Sequence, residues 1–256
     1  MNVIVLLAII LFLLMTVVGG KKGIKSFVSL FLNFGVFMFM IFFITNPDMN
    51  PIYITLIASV FIGCINLFYI NGVNNKTVAA FISTMITILF LLFLIATVTK
   101  YAMIQGFGEE EIDELGVFSL YIGIDFTKLL ASVIILGTIG AIMDVAISIA
   151  ASMHEIYKHN PLMSRKDLFT SGLSVGRDIL GADTNTLFFA FFGGYLALLL
   201  WFKDLSYTFG EIINSKIFSA EIIGILCAGI GVAIGLPIAS GINAYVITRK
   251  REKQQA

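Results

Sequence analysis

Charge is scarce in this chain. Only 12% of its 256 residues are Asp, Glu, Lys or Arg, whereas 59% are hydrophobic and the mean hydropathy is +1.00. A soluble globular domain carries about a quarter charged residues, so water is excluded as the main solvent. Cysteine and histidine are scarcer still, with two of each. Cys64 and Cys227 fall inside apolar runs, where a free thiol behaves as a small hydrophobe and says nothing about redox compartment. His154 and His159 are five residues apart, not at the i, i+4 spacing of an H-E-x-x-H helix, which argues against a zinc site. No Ser stands in a G-x-S-x-G elbow and no Cys-His pairing marks a nucleophile. The expectation is a protein that is not an enzyme and calls for no metal, cofactor or nucleic acid. A basic stretch before the first apolar run is missing, as is an A-x-A-like cleavage site after Val18, so that run is expected to be retained as a helix. No outer loop reaches the roughly 50 residues of a folded domain, so any such domain would come from another chain.

What the chain does have is long apolar runs. A spanning helix needs about 20 mostly apolar residues. The sequence predicts an all-α integral membrane protein of about seven such helices, near 3–18, 27–45, 52–70, 78–98, 129–151, 184–201 and 222–247. Turn residues punctuate the first four: Gly19-Gly20, then Asn46-Pro47-Asp48 with Pro51, then Asn71-Gly72 with Asn74-Asn75. Cytoplasmic loops retain Lys and Arg. With the N-terminus outside and the C-terminus cytoplasmic, the inner set is Lys21, Lys22, Lys25, Lys76, Lys158, Arg165, Lys166, Arg177, Arg249, Lys250, Arg251 and Lys253. The outer set is only Lys100, Lys128, Lys203 and Lys216. That segregation sets the expected orientation.

Two connections exceed turns. The outer one, 100–128, holds the acidic run Glu109, Glu110, Glu111, Asp113 and Glu114, then an apolar stretch over 115–124 suited to a re-entrant or interfacial element. The inner one, 152–183, is the most polar part of the chain and is expected to be a loop.

One charge falls deep within a predicted span. Asp144 lies among Gly137, Gly140, Ala141, Ser148, Ala151 and Glu155, residues that recur at spacings of three and four and so form one small, polar helix stripe. An ionised Asp in hydrocarbon costs several kcal/mol or more, so it faces protein or water. Two readings follow: a functional carboxylate, or one that only hydrogen-bonds across a helix interface. Candidate partners lie at the start of the sixth span. Arg177 offers a counter-charge, Asp183 a second carboxylate, and Thr184, Asn185 and Thr186 polar groups able to hold water. The alternative for Arg177 and Asp178 is that they mark the cytoplasmic interface. In the last span Gly224, Ala228, Gly231 and Gly235 share a face, a close-packing surface that Pro237 is expected to kink.

Taken together, Asn71-Gly-Val-Asn-Asn-Lys-Thr-Val-Ala-Ala, Gly137-Thr-Ile-Gly-Ala-Ile-Met-Asp-Val-Ala-Ile-Ser-Ile-Ala-Ala-Ser and Ser171-Gly-Leu-Ser-Val-Gly-Arg-Asp-Ile-Leu-Gly-Ala-Asp-Thr-Asn-Thr-Leu resemble the YibE/F family. The short length is similar to the YibF type. The resemblance implies a multi-pass protein of the bacterial cytoplasmic membrane, in contact with lipid and paired with a longer YibE-type chain or, failing that, with itself. A wider resemblance is to the membrane half of SecD and SecF and to resistance-nodulation-division transporters. It implies Asp144 as a proton carrier, Arg177 as counter-charge, and Asp183, Asn185 and Thr186 as the polar entry to the next helix. Two additional N-terminal helices and a missing periplasmic domain depart from that pattern. The resulting expectation is a subunit of a proton-coupled transport or secretion-assisting complex. The alternative is a non-transporting scaffold or envelope-stress component.

Overall fold

The computed structural model describes residues 2–106, 108, 123 and 125–255. Among them every regular element is helical: α1 (Val3–Ile44), α2 (Pro51–Gly63) continuing into a π turn (Cys64–Tyr69), α3 (Asn75–Ala102), α4 (Phe126–His159), α5 (Arg165–Gly194), α6 (Leu196–Asp204), α7 (Phe209–Asn214) and α8 (Lys216–Gln255). Side-chain caps start most of them. Asn50, Asn74, Asp125 and Ser164 each accept a backbone N–H of the first turn of α2, α3, α4 and α5, satisfying donors that have no partner inside the helix. The apolar stretch over 115–124 and the acidic run before it lie outside the described residues, apart from Gly123.

α1 is not one rod. Gly20 has φ 55° and ψ −135°, a conformation that breaks the helix and that an L side chain would resist. Beyond it the chain doubles back: the rings of Phe12 and Phe27 lie 5.0 Å apart, although fifteen residues of straight helix would separate them by about 22 Å. A Cβ on Gly23 would run into the backbone carbonyl of Met15, so glycine is what lets the two arms, 3–19 and 21–44, meet. The predicted turn at Gly19-Gly20 sits at this break.

Five helices, α1, α2 with its π turn, α3, α4 and α8, are long and apolar enough to cross a membrane, and α5 joined to α6 makes a sixth, bent by 53°. The chain is therefore a multi-pass membrane protein. α4 is the centre: more than half of its apolar window is buried, against none of α1's. It packs along α8 and α3, with α2 and α5 on its flanks, while α1 touches α2 and the π turn. Ile135, Ile142, Val145, Ile149 and Met153 of α4 meet Leu91 and Ile95 of α3 and Val232 of α8 in one core. The polar residues within that core are short. Ser83, Thr84 and Thr87 each donate to the carbonyl four residues back, so they satisfy themselves and leave room for close approach.

The polar inner connection is not a loop. α4 runs on to His159, and α5 begins at Arg165, leaving 160–164 as the turn. Asn160-Pro161 ends the first helix. Ser164 then accepts the Asp167 N–H and donates to its carboxylate at 2.6 Å, starting the next. Gly172 and Gly176 are helical contact points. A Cβ on Gly172 would lie 2.8 Å from Ser240 Oγ, and one on Gly176 2.6 Å from Leu236 Cδ2. The predicted sixth span, 184–201, instead straddles the α5–α6 bend at Tyr195, whose hydroxyl donates to Glu221 at 2.7 Å. At the opposite end of α8, Arg165 donates to Thr248 at 2.9 Å and lies over the Tyr245 ring.

Candidate functional site

The exposed face of α4 is one stripe. Gly137, Gly140, Asp144, Ser148, Ala151 and Glu155 are exposed, while residues between them, such as Ile139, Ile142, Val145 and Ile149, are buried. The 3.6-residue period makes this a single line down the most buried helix of the protein. No atom lies within 4 Å of where a Cβ on Gly137 or Gly140 would stand. Those two glycines, expected to pack against a helix, meet no neighbouring element among the described residues; the small, polar face points out of the bundle.

Asp144 sits midway along that stripe, and Asp183 of α5 lies within electrostatic reach of it. Asp183 and Thr184 are half-buried, whereas Asn185 and Thr186 are exposed. The hydroxyls of Thr184 and Thr186 donate to Leu180 and Ala182 at 2.8 and 2.9 Å, so both are held by their own helix. Arg177 is exposed, and among the described residues no ion pair joins it to Asp144 or Asp183. The expected counter-charge is thus not in place. Six residues of helix set Arg177 about 9 Å along the axis from Asp183.

The final-helix glycines behave differently from those of α4. A Cβ on Gly231 would stand 2.9 Å from Leu91 Cδ2 and 3.0 Å from Ile142 Cδ1, and one on Gly235 3.6 Å from Thr87. Gly224 is looser, with Ile134 at 4.0 Å. This face brings α8 onto α3 and α4 and so fixes the rotation of α4 that turns Asp144 outward.

A second polar feature escaped the sequence reading. A cavity of about 540 Å³ opens where the α1 turn, the α2–α3 connection and the C-terminal half of α4 meet, lined by Lys22, Asn71, Asn74, Asn75, Lys76 and His154 among others. Its residues come from three separate segments, and the sequence reading uses Lys22 and Lys76 for orientation and His154 against a zinc site without bringing them together. Among the described residues no three His, Cys, Asp or Glu side chains converge as a metal site would.

No curated protein and no solved structure matches this chain. A family model does, that of the YibE/F-like proteins, and its match runs over residues 7–249, taking in the α1 turn, the cavity, the Asp144 stripe and nearly all of α8. With all but the two ends covered, the chain belongs to the YibE/F-like protein family.

Proposed function

We propose that this chain is one subunit of a proton-coupled transport or secretion-assisting complex of the bacterial cytoplasmic membrane. The observation that carries the reading is the position of Asp144: a carboxylate on the outward face of the central helix, amid residues too small to shield it. Facing lipid, an ionised Asp costs several kcal/mol. A second chain, either a longer homologous one or another copy, removes that cost by laying a helix along Gly137 and Gly140, and water trapped between the helices gives the carboxylate a proton path. Asp183 is the second member of the relay, with Asn185 and Thr186 at its entry. Arg177 reaches the pair only after a movement of α5.

Seven crossings accompany this reading, with the N-terminus outside and the C-terminus inside. The break at Gly20 divides α1 into two apolar arms, and α5 with α6 counts as one bent span. Lys22, Asn71, Lys76 and His154 gather at one cavity, as they must if the α1 turn and the α2–α3 connection share the inner side.

The test is Asp144→Asn, which keeps shape and hydrogen bonding but cannot ionise near neutral pH. Proton flux is measured in proteoliposomes with and without the longer homologous chain. Flux lost in a variant that still assembles supports the relay. Flux equal to wild type leaves the stripe as a packing surface and the chain as a scaffold, a reading that the small residues around Asp144 also favour.

A further inference from the structure

We propose that the cavity between the α1 turn, the start of α3 and the C-terminal half of α4 is a binding site for a phosphate-bearing anion. Two lysines, Lys22 and Lys76, line it together with the His154 imidazole and the amides of Asn71, Asn74 and Asn75, and among the described residues no acidic side chain does. Lys76 is half-buried and lines the cavity. The nearest described carboxylate in electrostatic reach of Lys76 is that of Glu155, which already pairs with Lys158 at 3.3 Å and His159 at 3.4 Å. Glu155 thus divides its charge among Lys76, Lys158 and His159.

The surrounding elements hold the donors in place. Asn74 Oδ1 accepts the N–H groups of Lys76 and Thr77 at 3.0 and 3.2 Å, so the first amides of α3 are occupied and the site rests on the side chains. Asn74 Nδ2 donates to the carbonyls of Asn71 and Gly72, both at 3.3 Å, which stiffens the connection carrying three of the amides. Asn71 Nδ2 in turn donates to the Asn66 carbonyl at 3.4 Å. Lysine is a compact point charge and a common phosphate binder, and the volume lies in the range of small-molecule sites. The cavity sits near the α1 turn and the start of α3, at the end of apolar helices, and Lys22, Asn74 and Asn75 are exposed at its rim. The same phosphate chemistry thus reaches it from an anionic lipid or from solution.

Not every lysine at this end takes part. Lys25 lies over the Tyr69 ring at 5.7 Å, and neither it nor Lys21 lines the cavity. That makes a control for general surface attraction. The full chain is placed in nanodiscs of phosphatidylcholine with or without phosphatidylglycerol, and retained lipid is counted by native mass spectrometry. In a parallel arm, inorganic phosphate is titrated against chloride at equal ionic strength in phosphatidylcholine nanodiscs, with the melting temperature as readout. Wild type retains phosphatidylglycerol if the source is lipid, or is stabilised by phosphate if it is solution. The Lys22→Gln/Lys76→Gln variant weakens that binding about tenfold or more, at about 1 kcal/mol per lysine, and Lys21→Gln/Lys25→Gln leaves it unchanged. Should the first variant fail to fold, Asn75→Leu at the exposed rim carries the same expectation. Neither retention nor stabilisation in wild type, or equal losses in both double variants, overturns the site.

Discussion

Gly231 and Gly137 are both glycines inside apolar helices, and their neighbours give them opposite roles. At Gly231 a side chain would press on Leu91 and Ile142, each 1% exposed and without room to retreat. Overpacking of that kind costs about 1–3 kcal/mol. Gly231→Val should therefore lower the melting temperature of the purified chain in detergent. Gly137→Ala meets open space and gains up to about 1 kcal/mol of helix propensity, so its melting temperature should equal or exceed that of wild type. Two equal losses would mean that α4 buries its stripe within a single chain. The sequence shows both glycines on a small-residue face but not which face finds a partner, because that depends on how α4 rotates against α3 and α8.

At the scale of the element, the start of α4 has a titratable lock. Asp125 accepts the N–H groups of Thr127 and Lys128 at 3.0 and 3.2 Å and pairs with Lys128 Nζ at 3.0 Å. Partial burial pushes its carboxyl up, but the hydrogen bonds and charge of Lys128, with the Thr127 amide, outweigh that and hold it below the usual carboxylate range. A carboxyl depressed in the folded chain stabilises it above the ordinary value, and the contribution fades as pH falls through the lowered one. Asp125→Ala should cost about 1 kcal/mol at neutral pH through the lost cap. Asp125→Asn keeps a capping oxygen and should cost less. Thermal melting at neutral pH and near pH 3 checks this: the gap between wild type and Asp125→Asn should close on acidification, and a gap that widens would contradict the assignment.

Elements also show where sequence reading stops. The Gly19-Gly20 turn was legible because glycine pairs suit such backbone. The polar 152–183 segment was not, because its Arg, Lys and Asp residues conceal an apolar line through Leu168, Gly172, Gly176, Ile179 and Leu180 that packs inward. Glycine signals a break to anyone reading one dimension; in the bundle it signals contact. The stripe around Asp144 was visible as a period in the sequence. Its outward direction was not, since hydropathy does not distinguish a face turned to a neighbour in the same chain from one turned away. The cavity was illegible because its lining is drawn from three segments far apart in sequence.

For the whole molecule, orientation is the quantity to measure first, since the relay and its direction depend on it. Single cysteines introduced at Lys22, Glu110 and Arg251, in a chain freed of Cys64 and Cys227, report it by labelling with a membrane-impermeant maleimide. Label at 110 from outside, with none at 22 or 251 until the membrane is opened, is the expected pattern for seven crossings. Label at 22 from outside would mean that the hairpin of α1 does not cross twice, and the count would fall. The bundle around α3, α4 and α8 would survive such a revision, because its main core cluster contains no α1 residue, and α1 reaches α4 only through the smaller cluster of Met40 and Ile44 with Ala58, Leu129 and Leu136.

The π turn at Cys64–Tyr69 has a consequence for register. Its hydrogen bonds span five residues where an α-helix spans four, so one more residue is wound into the same stretch of axis. Ahead of the resulting phase shift, Thr55 and Ser59 face the interior; within it, Asn66 accepts from Asn33 Nδ2 at 2.7 Å and ties the second arm of α1, 21–44, to the bundle. After it, Asn71 arrives at the cavity. Losing a single residue between 64 and 69 would let the helix relax to 3.6 residues per turn and rotate everything downstream by about 100°. The hairpin tether and the cavity wall would then lie on different clock positions of the helix. Chain length across this one turn is thus a setting that keeps two distant parts of the protein in step.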